Sequence, residues 1–363
     1  MANELTKIID TITPEQYTQY TNYHAEQHSA FIQSGILVPT PNLDQMIVAG
    51  GLFVTMPEWA RTHLADQVLE EDTALVTGKT NANAQVAPVL YRGTGASYTD
   101  LAAITAGSNP ATQILMDFGD YTIESDQEIM QSIIAALFDP NEGVLYDSHV
   151  SDQADAVASV ISPEMVIDAR SILGTSRNKL AVIAMHSKVK AELEKQNTMT
   201  KHYIPASESR NAFDTYLGMR VVEDDALLPD KDGVYETYLY ATGAFGRNTA
   251  TPADMVTFEP DREKAKGNNM LYVRRSRVIH PVGLAFTNEQ ISKVTPTNED
   301  LRLPENWKKV REDKKIGLIC LRHRISVDVE AADKQRALRA AAKAEKAAKA
   351  QKAKDEADGK ETK

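Results

Sequence analysis

Apolar and polar positions recur along this chain in several rhythms, and each predicts an element. From about Pro14 to Gln33, residues Tyr17, Tyr20, His24, His28 and Phe31 fall at three- and four-residue spacing, which predicts a helix stopped at Gly35. Gly50–Pro57 reads as a short strand with permissive glycines at its start. The region 66–104 is polar and turn-rich, with β-prone runs at Thr73–Thr77 and Gln85–Arg92 joined by GKTNANA; these predict a long hairpin. A two-stranded ribbon is marginal in water, so it should rest on something else, in all expectation another molecule. Residues 107–139 carry the longest helical pattern. Pro110 sits at its first position, Ser108 or Asn109 is available as a cap, Ile129, Ile133, Ile134 and Leu137 share one face, and Asp139-Pro140 stops it. Gly119 is expected to introduce a bend. From 162 to 242 helix and strand alternate. A helix runs from a Ser162 cap to Leu173, a buried strand covers Leu180–Met185, and a helix capped by Ser187 follows. Further strands are expected at Phe213–Val222, turning at Gly218, and at Tyr235–Ala241. Such alternation predicts a compact α/β unit. Leu271–Ala285 and Lys315–Val329 are β-prone and far from the first strands, as expected of chain returning to an earlier sheet.

Residues 331–363 break the pattern. They are Ala/Lys-rich, contain no aromatic residue and offer no apolar stripe wider than Ala, so a solvated helix or disordered tail is expected. This tail also changes the charge picture. The 363-residue chain has a formal charge of −11, but the tail holds ten Lys/Arg against six Asp/Glu, a balance of +4, which leaves −15 for the body. An acidic body repels phosphates, and this argues against nucleic-acid reading. The 42% hydrophobic and 25% charged content is that of an ordinary globular protein. No apolar stretch approaches the roughly 20 residues of a membrane span, and MANELTKIID is not a secretory leader. The single Cys320 rules out an intrachain disulfide framework.

Five motifs bear on chemistry. Gly78-Lys79-Thr80 matches the end of a phosphate-binding loop. That loop needs a glycine where Thr73 stands and a helix afterwards, whereas NANAQ leads into a strand. GTGASY, 93–98, has Tyr98 in place of the third glycine of a dinucleotide fingerprint and reads as a loop. HAEQH, 24–28, has Ala25 where a zinc protease needs Glu. The acidic run 222–233 has Leu228 where a calcium loop needs oxygen, and reads as a solvated turn. Cys320 lies in an apolar β run and is expected to be buried and structural. No cofactor, metal or catalytic set emerges.

Eight stretches, in order, carry a resemblance. They are LYRGTGASYTDLAA (90–103), SPEMVIDARSILG (162–174), LAVIAMHSKV (180–189), YLGMRVVEDDALLP (216–229), YETYLYATGAFG (235–246), RSRVIHPVGLAF (275–286) with its HPxG element, TPTNEDL (295–301) and ENWKKVREDKKIGLICLRH (305–323). Together the chain resembles the major capsid proteins of tailed bacteriophages. The resemblance implies an α+β architecture, the Hong Kong 97-type capsid fold with N-arm, extended β-hairpin loop, spine helix, and peripheral and axial domains. It implies an N-terminal arm at 1–50 and a peripheral domain with the spine helix at 51–65, 107–160 and 254–290. The extended loop is placed at 66–106 and the axial domain and closing strands at 161–253 and 291–329; the Ala/Lys-rich tail, 330–363, has no counterpart in the family pattern.

The implied function is structural: self-assembly into the hexamers and pentamers of an icosahedral head shell enclosing double-stranded DNA without sequence-specific binding. A portal protein and possible decoration proteins are implied partners. Some relatives fuse a scaffolding segment ahead of the arm; this chain leaves no room for one, so a separate scaffolding protein is expected. The implied location is the virion capsid, assembled in host cytoplasm, with no membrane. An encapsulin-like nanocompartment shell is the alternative. Lys79, Tyr91 and Arg92 are the candidate inter-subunit contacts; the partner residues of a covalent Lys79 cross-link cannot be matched.

Overall fold

The computed structural model describes residues 29–326 apart from 42, 60–65, 69–73, 81, 108–109, 155–159, 197–198 and 203–212. The expected helix before residue 29, HAEQH, the caps Ser108 and Asn109, Thr73 and the Ala/Lys tail lie outside the described residues.

The longest element is helix α4, Pro110–Leu137, running unbroken through Gly119. Its 28 residues span about 42 Å at 1.5 Å per residue. Phe118, Thr122, Asp126, Ile129, Met130, Ile133 and Leu137 form a buried stripe at three- and four-residue spacing. That stripe joins two sheets. On one side lies a five-stranded sheet of β1 (Leu37–Val38), β4 (Leu90–Thr99), β11 (Phe245–Thr249), β12 (Phe258–Glu263) and β13 (Asn268–Pro281). On the other lies a seven-stranded mixed sheet in the order β5-β16-β10-β6-β9-β8-β7. Its strands are β5 (Val150–Asp152), β6 (Leu180–Met185), β7 (Met199–His202), β8 (Phe213–Tyr216), β9 (Met219–Glu223), β10 (Tyr235–Ala241) and β16 (Leu318–His323). Met130 and Ile133 share one core with Leu90, Phe245 and Ile279 from the first sheet and Val182, Tyr238, Tyr240 and Cys320 from the second. Each such fully buried side chain is worth roughly 1.5–3 kcal/mol.

A second core lies under helices α6 (Pro163–Ser171) and α7 (Ser187–Lys195), where Val166, Ala169, Val189 and Leu193 meet Ile183, Leu239 and Ile319. Ser162 caps α6 by accepting from the Met165 amide, as its position predicts. The cap of α7 is not Ser187 but His186, whose ring accepts from the Lys188 amide; the helix begins one residue earlier relative to its cap than a serine-based reading allows. Leu217 and Gly218 both have positive φ, 50° and 80°, the geometry of a tight hairpin turn whose twist matches its strands.

The late β segments do return to earlier sheets. β13 pairs with β4, β11 and β12, and β16 pairs with β10 and β5. The 222–233 run is largely an exposed turn, although Asp224 is buried and accepts from Gln131 at 2.9 Å.

Two expectations fail in the same region. GTGASY is strand, not loop. It lies in β4 opposite β13, and a Cβ on Gly93 would stand 2.9 Å from the Val273 carbonyl, so the glycine permits close strand approach. The expected hairpin of Thr73–Thr77 with Gln85–Arg92 is not formed. β3, Ala82–Pro88, pairs antiparallel with β2, Phe53–Trp59, while 90–99 belongs to the sheet and residues 74–80 have no regular structure. Burial decides the pairing: Val54 and Ala87 share a core with Leu43, Ile47, Val89 and Val278, whereas Leu75 and Val76 are 55% and 77% exposed.

Candidate assembly surfaces

The ribbon β2–β3 is held at its base, where Val54 and Ala87 pack into a core, and again near its far end, next to the Trp59–Ala82 pair. There Glu58 pairs with Arg311 and accepts from Gln85, whose carbonyl in turn accepts from the Gly283 amide at 3.0 Å. Asn83 reaches the Val310 carbonyl at 3.2 Å. Farther out contact ends. Trp59 is 71% exposed, and 74–80, which carries Gly78-Lys79-Thr80, is exposed throughout and leads into strand β3 rather than a helix. No turn of helix follows to hold a phosphate. Within this loop the Gln67 side-chain amide bonds both the N–H and the carbonyl of Val76, at 2.8 and 2.9 Å.

The three candidate contact residues divide. Lys79 is exposed on this loop. Tyr91 and Arg92 are adjacent on β4, and each bonds within its own subunit. The Tyr91 hydroxyl donates to the Gly51 carbonyl at 2.9 Å. Arg92 donates to the Pro296 carbonyl at 2.7 Å and to Asn298 Oδ1 at 3.1 Å, tying β4 to the start of the four-residue helix Asn298–Leu301. Burial, and then the nearby Arg277 charge, lower the Arg92 pKa.

Beneath Arg92 lies a cluster that sequence reasoning missed. Asp126 of α4 pairs with Arg277 of β13, with Arg247 of β11 at 2.8 Å and with Arg275 at 3.9 Å. Arg277 is 1% exposed at its side chain and Asp126 4%. Arg277 also donates to the Ser125 hydroxyl. Burial alone would raise the Asp126 pKa, but the three guanidiniums outweigh it and hold the carboxyl below its ordinary value. The available signal was RRSRV, 274–278, which sets two arginines at i, i+2 on one face of an otherwise apolar strand.

A further surface is apolar. Helix α3, Asp100–Ala106, follows β4 and holds Leu101 and Ile104 73% and 77% exposed, beside the tip formed by Asp100, Arg262 and Asn269. Burial also shifts titratable groups in the interior. Burial raises Cys320 well above its ordinary range and lowers His280 and His323 to about 4. Among the described residues there is no cluster of metal-ligating side chains. No helix among them is long and apolar enough to cross a membrane.

No family model matches the chain. The major capsid protein of Bacillus phage SPP1 is 32% identical to it over 326 residues, covering 88% of this chain and 98% of that relative. Among solved structures, the capsid of Ralstonia phage GP4 aligns with a TM-score of 0.54 at 9% identity, over 82% of this chain and 91% of that one. The encapsulin complex of Synechococcus elongatus aligns at 0.45 and 10% identity, over 88% and 91%. Identity of this degree along nearly the whole of both sequences goes with a helix spanning two sheets and a ribbon that cannot stand alone: the chain belongs to the major capsid proteins of tailed bacteriophages, with the Hong Kong 97-type fold, and its role is to form the icosahedral shell.

Proposed function

We propose that copies of this chain assemble into hexamers and pentamers, that the shell encloses double-stranded DNA without sequence-specific contacts, and that the chain performs no catalysis. The observation that carries this reading is the surface left bare in a single subunit. Trp59, Val68, Val76, Leu101 and Ile104 are each more than 70% exposed, apolar surface of the kind that contacts between copies cover. The ribbon 53–88 acts as the extended loop over a neighbour, with Lys79 as a contact near its end. Tyr91 and Arg92 position β4 rather than reaching a partner themselves. Helix α4 with the five-stranded sheet forms the peripheral domain, and the seven-stranded sheet forms the axial domain around capsomer centres. The acidic body, −15 without the tail, favours a wall that does not hold packaged DNA. A scaffolding protein, a portal and decoration proteins are the partners this role calls for, with assembly in host cytoplasm.

Negative-stain microscopy of the purified chain, alone and co-expressed with the scaffolding protein of its own gene cluster, tests the reading. Closed particles of tens of nanometres are expected. A chain that remains a monomer or small oligomer under both conditions overturns it.

A further inference from the structure

The acidic run 222–233, which the shell role leaves unused, forms one wall of a cavity. The cavity holds about 370 Å³ and lies between helix α4, this run and the start of strand β10; Glu128, Ala135, Leu227, Leu228, Glu236 and Tyr238 are among the residues that line it. Leu227 is half-buried there and Leu228 is 73% exposed, so apolar surface is left open to water. The charge around it is mostly negative. Glu128 is exposed, and its contact with the Asn298 amide is long, 3.5 Å. Glu236 is already committed, since it accepts from the Tyr238 hydroxyl and faces Arg322 at 3.5 Å, and Arg302 puts one cation on the lining. Within the run Glu223 is taken by Lys190 and Asp224 is buried, but Asp225, Asp230 and Asp232 are exposed against the single Lys231. The described chain ends close by. The register of β10 with β16 sets Glu236 opposite Arg322, and Ser326, the last described residue, follows Arg322 by four positions. The sequence beyond it has the opposite charge: residues 334–354 hold eight Lys/Arg and one acid, Glu345. Leu338 is the one large apolar residue in 331–363. It follows Ser326 by 12 positions, a reach of up to about 40 Å in extended chain.

We propose that the Ala/Lys-rich tail docks on its own subunit and fills this cavity, with Leu338 seated on Leu227 and Leu228, and with Arg336 and Arg339 at the Glu128 carboxylate. Ala337 and the alanines at 340–342 let the backbone come close to the wall, while the long basic side chains lay their stems on it and keep their charges at the rim. Exposed ion pairs are individually weak. Here the tether makes the contact intramolecular, and the high effective concentration lets weak pairs suffice. The seated tail braces α4 against the turn between β9 and β10, a junction where Gln131 already bonds Asp224 at 2.9 Å. The competing occupant of the tail is packaged DNA, because the same basic run attracts phosphates.

The contact lies within one subunit, so it is tested on the unassembled full-length chain. Ala226→Cys, at an exposed position lining the cavity, is combined with Ala337→Cys in the tail; Cys320 is buried and does not compete. A second pair, Ala226→Cys with Thr362→Cys, shares the tether but lies outside the basic run. Under mild oxidation at low salt the 226–337 pair is expected to close an intramolecular disulfide. Glu128→Lys should slow that closure about ten-fold and leave the 226–362 pair within about two-fold. Arg336→Glu with Arg339→Glu should slow it likewise, and combining these two with Glu128→Lys should restore it. A 226–337 rate that Glu128→Lys leaves unchanged, or a combined variant that stays slow, overturns the proposal, since the tail is then tethered but not seated. Covalent dimers in place of the intramolecular product also overturn it, by putting the tail on another copy. An added short DNA duplex should leave the 226–337 rate within about two-fold at physiological salt; a fall to the Glu128→Lys rate makes DNA the occupant and overturns the proposal.

Discussion

Replacing Asp126 by Asn tests the reasoning about the buried cluster most directly. Asn has nearly the same shape and keeps one carbonyl oxygen, so the substitution removes charge and little else. What it leaves behind is Arg277, Arg275 and Arg247 at side-chain exposures of 1%, 8% and 11%, facing one another without a carboxylate. Breaking a buried pair by removing one partner costs about 3–5 kcal/mol, because the surviving charge stays out of water uncompensated. Here three cations lose the same anion, so the upper part of that range applies. A folded domain is stable by only about 5–15 kcal/mol, so the variant should lose roughly a quarter of its stability or more. Urea unfolding of the unassembled subunit, followed by far-UV circular dichroism, measures the loss as a lowered midpoint at constant slope. At about 2–4 °C per kcal/mol, the thermal midpoint should fall by roughly 8–20 °C. Adding Arg247→Met to Asp126→Asn should restore part of the loss, since a cation is then removed from the cluster. A loss under about 1 kcal/mol for Asp126→Asn, or no recovery in the double variant, would mean that water rather than the carboxylate compensates these guanidiniums, and the argument would fail.

Lys79→Glu should lower particle yield while leaving the subunit's thermal midpoint within error, because its side chain is exposed; sedimentation of assembled material reads the first and a melting curve the second. Gly93→Ala should cost about 1–3 kcal/mol in urea unfolding, as an added methyl would press on the Val273 carbonyl at 2.9 Å. His280 and His323 titrate near 4 in the folded chain, against 6.5 for an ordinary histidine. The unfolded chain therefore binds protons first as pH falls, so stability is full above pH 6.5 and declines between 6.5 and 4. Imidazole carbon shifts in the folded subunit should stay those of neutral rings at pH 5; protonated rings at that pH would contradict the burial argument.

Much of the fold was legible because its signals are local. The α4 stripe at Ile129, Ile133 and Leu137, the apolar run Leu180–Met185 and the strand Tyr235–Ala241 are written in adjacent residues, and the structure has them at those positions. The rejection of Gly78-Lys79-Thr80 as a phosphate loop was equally local, since it needed only the absent glycine at Thr73 and the strand after Asn81. The capsid resemblance was legible for a different reason: eight weak stretches in one order constrain a chain more than any one of them.

Strand pairing and charge pairing were not legible, and for one physical reason. Whether 82–88 bonds to 53–59 or to 73–77 depends on which partner lets the ribbon bury a face, and that face is supplied by Leu43, Ile47 and Val278, distant in sequence. The buried pair Asp126–Arg277 likewise spans 151 residues. An Asp on a helix and an Arg on a strand, read separately, look like solvated groups. Periodicity along the chain decides which residues turn inward; only the assembled fold decides which inward residues meet, because burial in one element is conditional on the presence of another.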